Sequence, residues 1–167
     1  MVIAQVVLPS LVELQLSWID ASMIWETNLI TSSCVENLTK LIIEGCHNLK
    51  YLFTSTMARG MPKLVHLQIR ECRRMEEIVL TENVEIEQDL VFLKLSFLSI
   101  EDLQCLVRFY YGNRIVEFPS LKQLQILNCP ELKGFIVEAI NTYGRNDIDH
   151  ALFSELVIEI LMFSFST

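Results

Sequence analysis

Residues 118–135 read FPSLKQLQILNCPELKGF, and residues 61–79 read MPKLVHLQIRECRRMEEIV. Laid over each other they share one apolar comb. Leu121, Leu124, Ile126, Cys129, Leu132 and Phe135 fall where Leu64, Leu67, Ile69, Cys72, Met75 and Ile78 fall. Working outward, the comb recurs three more times. It runs through Leu11, Leu14, Leu16 and Ile19, then through Leu38, Leu41, Ile43, Cys46, Leu49 and Leu52. A further copy holds Leu95, Leu98, Ile100, Leu103, Leu106 and Phe109. The leading leucines are separated by 27, 26, 31 and 26 residues. Pro9, Pro62 and Pro119 each stand two residues before one of them, where Glu36 and Leu93 stand in the other two copies. Proline is tolerated at the start of a strand, where no ladder donor is required, so its recurrence supports the register independently of the leucines.

The spacing has a mechanical meaning. In Leu-x-Leu the two apolar side chains point to one side of a strand and the residue between them to the other. After each strand, apolar residues recur every third position, as in Cys46, Leu49 and Leu52. That period suits a 3₁₀-like, irregular or short-helical arm better than a long helix. A single unit cannot enclose its own leucines, and stacked neighbours can. Repeats of about 20–29 residues with this order define the leucine-rich-repeat horseshoe. The reading is therefore an α/β solenoid with a parallel β-sheet on its concave face. Five repeats occupy residues 1–135, starting near 11, 38, 64, 95 and 121, and the longer step marks an acidic surface insertion, TENVEIEQD (81–89). Residues 136–167 read as a loop plus a degenerate repeat or cap. Two registers compete there, Phe153-x-x-Leu156-x-Ile158 and Ile158-x-x-Leu161-x-Phe163.

Composition narrows the function. With 51% apolar residues the chain can bury a core, and its net charge of −8 argues against a nucleic-acid partner, which needs clustered cations. The five cysteines form no dense disulfide pattern and fit a reducing, cytoplasmic setting. The start MVIAQVVLPSL lacks a basic leader, and the apolar stretch 151–165 is shorter than a bilayer span and carries Glu155 and Glu159. No membrane span is expected. Cys46, Cys72 and Cys129 share one repeat position, which reads as a ladder of small buried thiols and not as a metal site, because zinc prefers ligands paired at short spacing. His47, His66 and His150 lie far apart, and neighbours such as Glu76-Glu77 and Glu101-Asp102 point oppositely in an extended chain. Neither an enzyme nor a cofactor is expected.

The outward residues fall into columns. Glu13, Lys40, His66, Phe97 and Gln123 form one; Gln15, Ile42, Gln68, Ser99 and Gln125 the next. Ser17, Glu44, Arg70, Glu101 and Leu127 follow, and then Trp18, Gly45, Glu71, Asp102 and Asn128. From these columns the candidate partner-binding set is Gln15, Trp18, Lys40, Glu44, His66, Gln68, Arg70, Phe97, Glu101, Gln123 and Gln125. Trp18, Arg70 and Phe97 are of the types that most often anchor protein interfaces.

The full motif, apolar-Pro-x-Leu-x-x-Leu-x-Ile-x-x-Cys-x-x-Leu, with fillers such as LTKLIIEGCHNLKYLF (38–53), resembles the leucine-rich region of plant intracellular disease-resistance proteins. Within those it is similar to the coiled-coil, nucleotide-binding, leucine-rich-repeat class. The resemblance covers residues 8–135. It implies immune sensing in the cytoplasm, with the repeats recognising a pathogen effector or a guarded host protein and restraining a nucleotide-binding domain. No phosphate-binding G-x-x-x-x-G-K-[ST] loop or heptad pattern is present, so the chain reads as a detached, truncated repeat region. The alternative is a substrate adapter of a ubiquitin ligase. Such repeats follow the Cys with a Thr-Asp or Ser-Asp pair, whereas Cys46, Cys72 and Cys129 are followed by HNLK, RRME and PELK. Neither end carries an evident polar cap, so self-association through the terminal strands is expected.

Overall fold

A computed structural model describes residues 10–25, 35–80, 89–110 and 116–132, and the backbone of 157–161. In chain order its elements are β1 (Glu13–Ser17), β2 (Lys40–Glu44), β3 (Phe53–Thr54), α1 (Ser55–Arg59), β4 (His66–Arg70) and β5 (Glu77–Leu80). They continue with β6 (Leu90–Val91), β7 (Phe97–Glu101), β8 (Arg108–Tyr110), β9 (Val116–Glu117), β10 (Gln123–Leu127) and β11 (Val157–Leu161). One parallel sheet runs β1-β2-β4-β7-β10-β11. Its register sets Leu14, Leu41, Leu67, Leu98 and Leu124 in one row and Leu16, Ile43, Ile69, Ile100 and Ile126 in another. The solenoid read from the comb is the solenoid observed.

The inward rows form the core. Leu41, Leu67 and Leu98 and their partners Ile43, Ile69 and Ile100 are fully buried, while Leu14 and Leu16 at the β1 end are only half-buried. Stacking explains the contrast, since a repeat is closed only by a neighbour on each side.

Two turns per repeat steer the chain. Before β2, β4, β7 and β10 a carbonyl accepts from the N–H three residues on: Val35 from Leu38 (3.0 Å), Met61 from Leu64 (3.3 Å), Phe92 from Leu95 (3.3 Å) and Phe118 from Leu121 (3.1 Å). Pro62 and Pro119 are thus the second residues of β-turns, where a fixed φ favours the turn. After β2, β4, β7 and β10 the same three-residue span recurs at Cys46–Leu49, Cys72–Met75, Leu103–Leu106 and Cys129–Leu132. That is the physical form of the period of three.

The outer side is more regular than a purely irregular arm. Besides the short helix α1, capped at Thr54 whose hydroxyl accepts from Met57 N, it carries a second parallel sheet, β3-β5-β8, and the pair β6-β9. Phe92, Phe109 and Phe118 pack between the sheets, with ring centroids 5.4–6.0 Å apart.

The C-terminal strand pairs in neither register anticipated. Ile158 stands opposite Leu124 and Ile160 opposite Ile126, two residues later than the first comb and three earlier than the second. A two-residue slip leaves the alternation of faces intact, so Leu156, Ile158 and Ile160 satisfy the sequence pattern equally. Residues 81–88, 111–115 and 141–149, and Cys34, lie outside the described residues.

Candidate functional site

The outward columns are the geometry on which any docking depends. Because the strands pair in register, Glu13, Lys40, His66, Phe97 and Gln123 lie side by side across the sheet, as do Gln15, Ile42, Gln68, Ser99 and Gln125. Adjacent members stand about 4.8 Å apart, close enough for every neighbouring pair to interact. The candidate residues are therefore brought together on one face, with Trp18 at its N-terminal corner.

In the first column Lys40 Nζ lies 3.8 Å from Glu13 Oε2. Next to it the His66 and Phe97 rings stack at 4.2 Å with planes 6° apart. Phe97, an outward member of its column, is half-buried in this stack. His66 has its pKa lowered chiefly by burial, with Lys40 adding to the shift and a Gln68 hydrogen bond and Glu13 opposing it. The pair is consequently a neutral aromatic step at neutral pH.

Two columns further along, Arg70 reaches Glu44 at 3.2 Å and Glu71 at 3.4 Å. Glu101 faces Arg70 in the register but takes its hydrogen bond from Ser99 Oγ at 2.7 Å. Ser99 also reaches Gln125 Oε1 at 3.4 Å and is fully buried, although its position faces outward. The larger side chains around this small residue cover it.

The column after the strands has a property that the apolar comb does not display. Trp18, Gly45, Glu71, Asp102 and Asn128 all have positive φ, between 51° and 65°. Each of the first four still donates a ladder bond, to Glu44, Arg70, Glu101 and Leu127 oxygens at 2.8–3.1 Å, before the chain turns away from the sheet. Gly, Asn and Asp tolerate this left-handed geometry, and those three residue types were the available signal. Trp18 and Glu71 occupy it at a cost. Trp18 is 60% exposed, lies over Gly45, and meets the His47 ring edge-on at 5.6 Å. Asn128 Nδ2 donates to Asp102 Oδ1 at 2.6 Å along the same column.

The thiols one residue on are inward and structural. Cys46, Cys72 and Cys129 donate to the carbonyls of Glu44, Arg70 and Leu127 at 3.4–3.6 Å. Cys129 also lies 3.8 Å from Ile100 O, in the repeat where Leu103 offers no donor. Burial pushes Cys72 up to about 12 and Cys129 to about 11, which keeps both as thiols. Among the described residues no three His, Cys, Asp or Glu side chains are grouped as a metal site, and no helix is long and apolar enough to cross a membrane.

Comparison with known proteins adds a second kind of observation. The family described as "Plant disease resistance protein RPS2-like, leucine-rich repeats" matches residues 10–141. The chain is similar to the probable disease resistance protein At1g12290 of Arabidopsis thaliana, with 36% identity over 62% of this chain and 11% of the relative. It is similar to At4g14610, a probable disease resistance protein of the same plant, with 32% identity over 70% of this chain and 18% of that protein. Disease resistance protein RPS5 of Arabidopsis thaliana is 30% identical over 62% of this chain and 11% of its own length. The chain thus spans between about a tenth and a fifth of the relatives it matches. No solved structure matches it significantly.

Proposed function

Because the chain belongs to the RPS2-like leucine-rich repeats of plant disease resistance proteins, we propose that it is a protein-recognition module of plant innate immunity. Its concave face senses a pathogen effector or a guarded host protein in the cytoplasm. In a longer receptor the same repeats would contact a nucleotide-binding domain. The observation that carries this reading is the in-register outward surface that joins an aromatic pair, Arg70 and exposed Trp18 across the strands β1, β2, β4 and β7. Large aromatic and Arg side chains held on a rigid sheet favour protein interfaces because little side-chain freedom is lost on docking. The names of the relatives favour defence over a ubiquitin-ligase adapter.

The test is a combined His66→Ala, Arg70→Ala and Phe97→Ala variant, assayed by capture of a partner identified with the wild-type chain from infected and healthy plant tissue. Capture should be abolished. The melt should fall by no more than about 10 °C at about 2–4 °C per kcal/mol, because the stacked pair contributes about 0.5–1.5 kcal/mol and the exposed ion pairs about 1 kcal/mol or less. Undiminished capture by the folded triple variant rejects the assignment of this face.

A further inference from the structure

The docking reading leaves the chemistry of the occupant open, and the face itself constrains it. His66 and Phe97, side chains of adjacent strands, stack in parallel, and the Phe97 ring stays half-exposed. The register sets Lys40 beyond His66 and Gln123 beyond Phe97. Four residues further along the same strand as Phe97 stands Glu101, followed by Asp102. Arg70, the cation opposite Glu101, is engaged with Glu44 and Glu71. Among the described residues no cation lies within ion-pair distance of Glu101 or Asp102, although Arg73 lines the same shallow depression as Glu71, Asp102 and Gln104. The two carboxylates are held by Ser99 and Asn128 and keep further acceptor sites.

Resting on the docking reading, we propose that this face takes an arginine-bearing segment of a partner protein, with one guanidinium against the half-exposed ring of Phe97 and a second cation on Glu101 and Asp102. Charge complementarity favours a cation at the second position. At the first, a neutral aromatic face beside the Gln123 amide suits a planar guanidinium, which stacks and donates in its own plane, better than a compact ammonium. Four residues along a strand span about 13 Å, so the two cations of an extended segment sit four residues apart. An acidic segment meets repulsion at the far end, and a nucleic acid is repelled in the same way.

The probe is a fluorescein-labelled peptide, Gly-Ser-Arg-Ser-Gly-Ser-Arg-Ser-Gly, titrated by anisotropy at low salt beside versions carrying Lys, citrulline or Glu in place of both Arg. The expected order of affinity is Arg, then Lys, then citrulline, with Glu weakest. Phe97→Ala should weaken the Arg peptide about two- to fivefold, and Phe97→Leu, which keeps an apolar side chain, should weaken it similarly. Glu101→Gln with Asp102→Asn should weaken the Arg and Lys peptides and leave citrulline unchanged. Binding of the Glu peptide as tight as the Arg peptide, or indifference to both sets of variants, overturns the proposal. If the Arg peptide fails while partner capture remains sensitive to the His66, Arg70 and Phe97 triple variant, the occupant is not an arginine-bearing segment and the docking reading stands.

Discussion

Gly45 makes a quantitative test of how the strand exits are built. Its φ is +65°, and a Cβ placed on it would sit 2.4 Å from Trp18 Cε3 and 2.5 Å from Cδ2. Gly45→Ala therefore carries two separable costs. The left-handed backbone costs a non-glycine residue about 1–2 kcal/mol. The indole must also swing off its seat, forfeiting its edge contact with His47 and packing over the turn, about 0.5–1.5 kcal/mol more. The sum is about 1.5–3.5 kcal/mol, or roughly 3–14 °C in Tm at about 2–4 °C per kcal/mol for a chain of this size. In a Trp18→Ala background the second cost disappears and only the backbone cost remains. The assay is urea unfolding of wild type, each single variant and the double variant, read as a double-mutant cycle. The expected coupling is about 0.5–1.5 kcal/mol, with the double variant more stable than additivity allows. A coupling within about 0.3 kcal/mol of zero would refute the claim that Trp18 rests on Gly45.

Three other outcomes follow from the same geometry. Leu67→Ala, at a fully buried position between two neighbouring repeats, should cost about 2–5 kcal/mol, and Leu14→Ala, half-buried at the β1 end, distinctly less; equal losses in denaturant melts would contradict the stacking account. In the native protein at pH 8, iodoacetamide should label exposed Cys105 while Cys46, Cys72 and Cys129 react only on unfolding; mass spectrometry finding Cys72 labelled as fast as Cys105 would count against the buried ladder. Glu77 has its pKa raised, chiefly by burial, against the pull of Arg108. The folded state thus holds its proton more tightly than the unfolded state. Its ionisation is a cost present above the folded pKa and relieved as pH falls through that value towards the unfolded one. Urea midpoints of wild type should consequently gain on those of Glu77→Gln as pH is lowered from 7 to 4, and a pH-independent gap would dispose of the effect.

What the sequence discloses of this fold is what period alone determines. The alternation in Leu-x-Leu fixes which side chains go inward, and the 26-residue step aligns Leu41 with Leu67 without any knowledge of loops. The outer sheet was not legible, because β3, β5 and β8 are two to four residues long, too short to display alternation. Their pairing is imposed by the inner strands: once those are in register, equal arm lengths bring Phe53 opposite Val79, and Val79 opposite Tyr110. The tail fails for a related reason. Alternating apolar residues across 156–160 make a slip of two residues invisible to pattern, and only pairing with β10 selects Ile158 for the Leu124 row.

On the outward face the limit is of another kind. Column membership can be read from the register, but partnership within a column depends on side-chain reach. Arg70 has Glu44 and Glu101 on either side in its row and Glu71 beside it in the chain, and it turns to Glu44 and Glu71. Glu101 instead accepts from Ser99 Oγ at 2.7 Å, a bond that anchors one carboxylate oxygen and leaves the other open. Ser99, buried between Gln68 and Gln125, thus anchors a carboxylate that makes no ion pair among the described residues, two columns away from the aromatic step. Ser99→Ala, which removes that anchor, should let Glu101 compete with Glu44 for Arg70, so that arginine-peptide anisotropy loses its sensitivity to Glu101→Gln; undiminished sensitivity rejects this role for Ser99. A residue that touches no partner would in this way set the charge pattern a partner meets, which neither composition nor spacing could have disclosed.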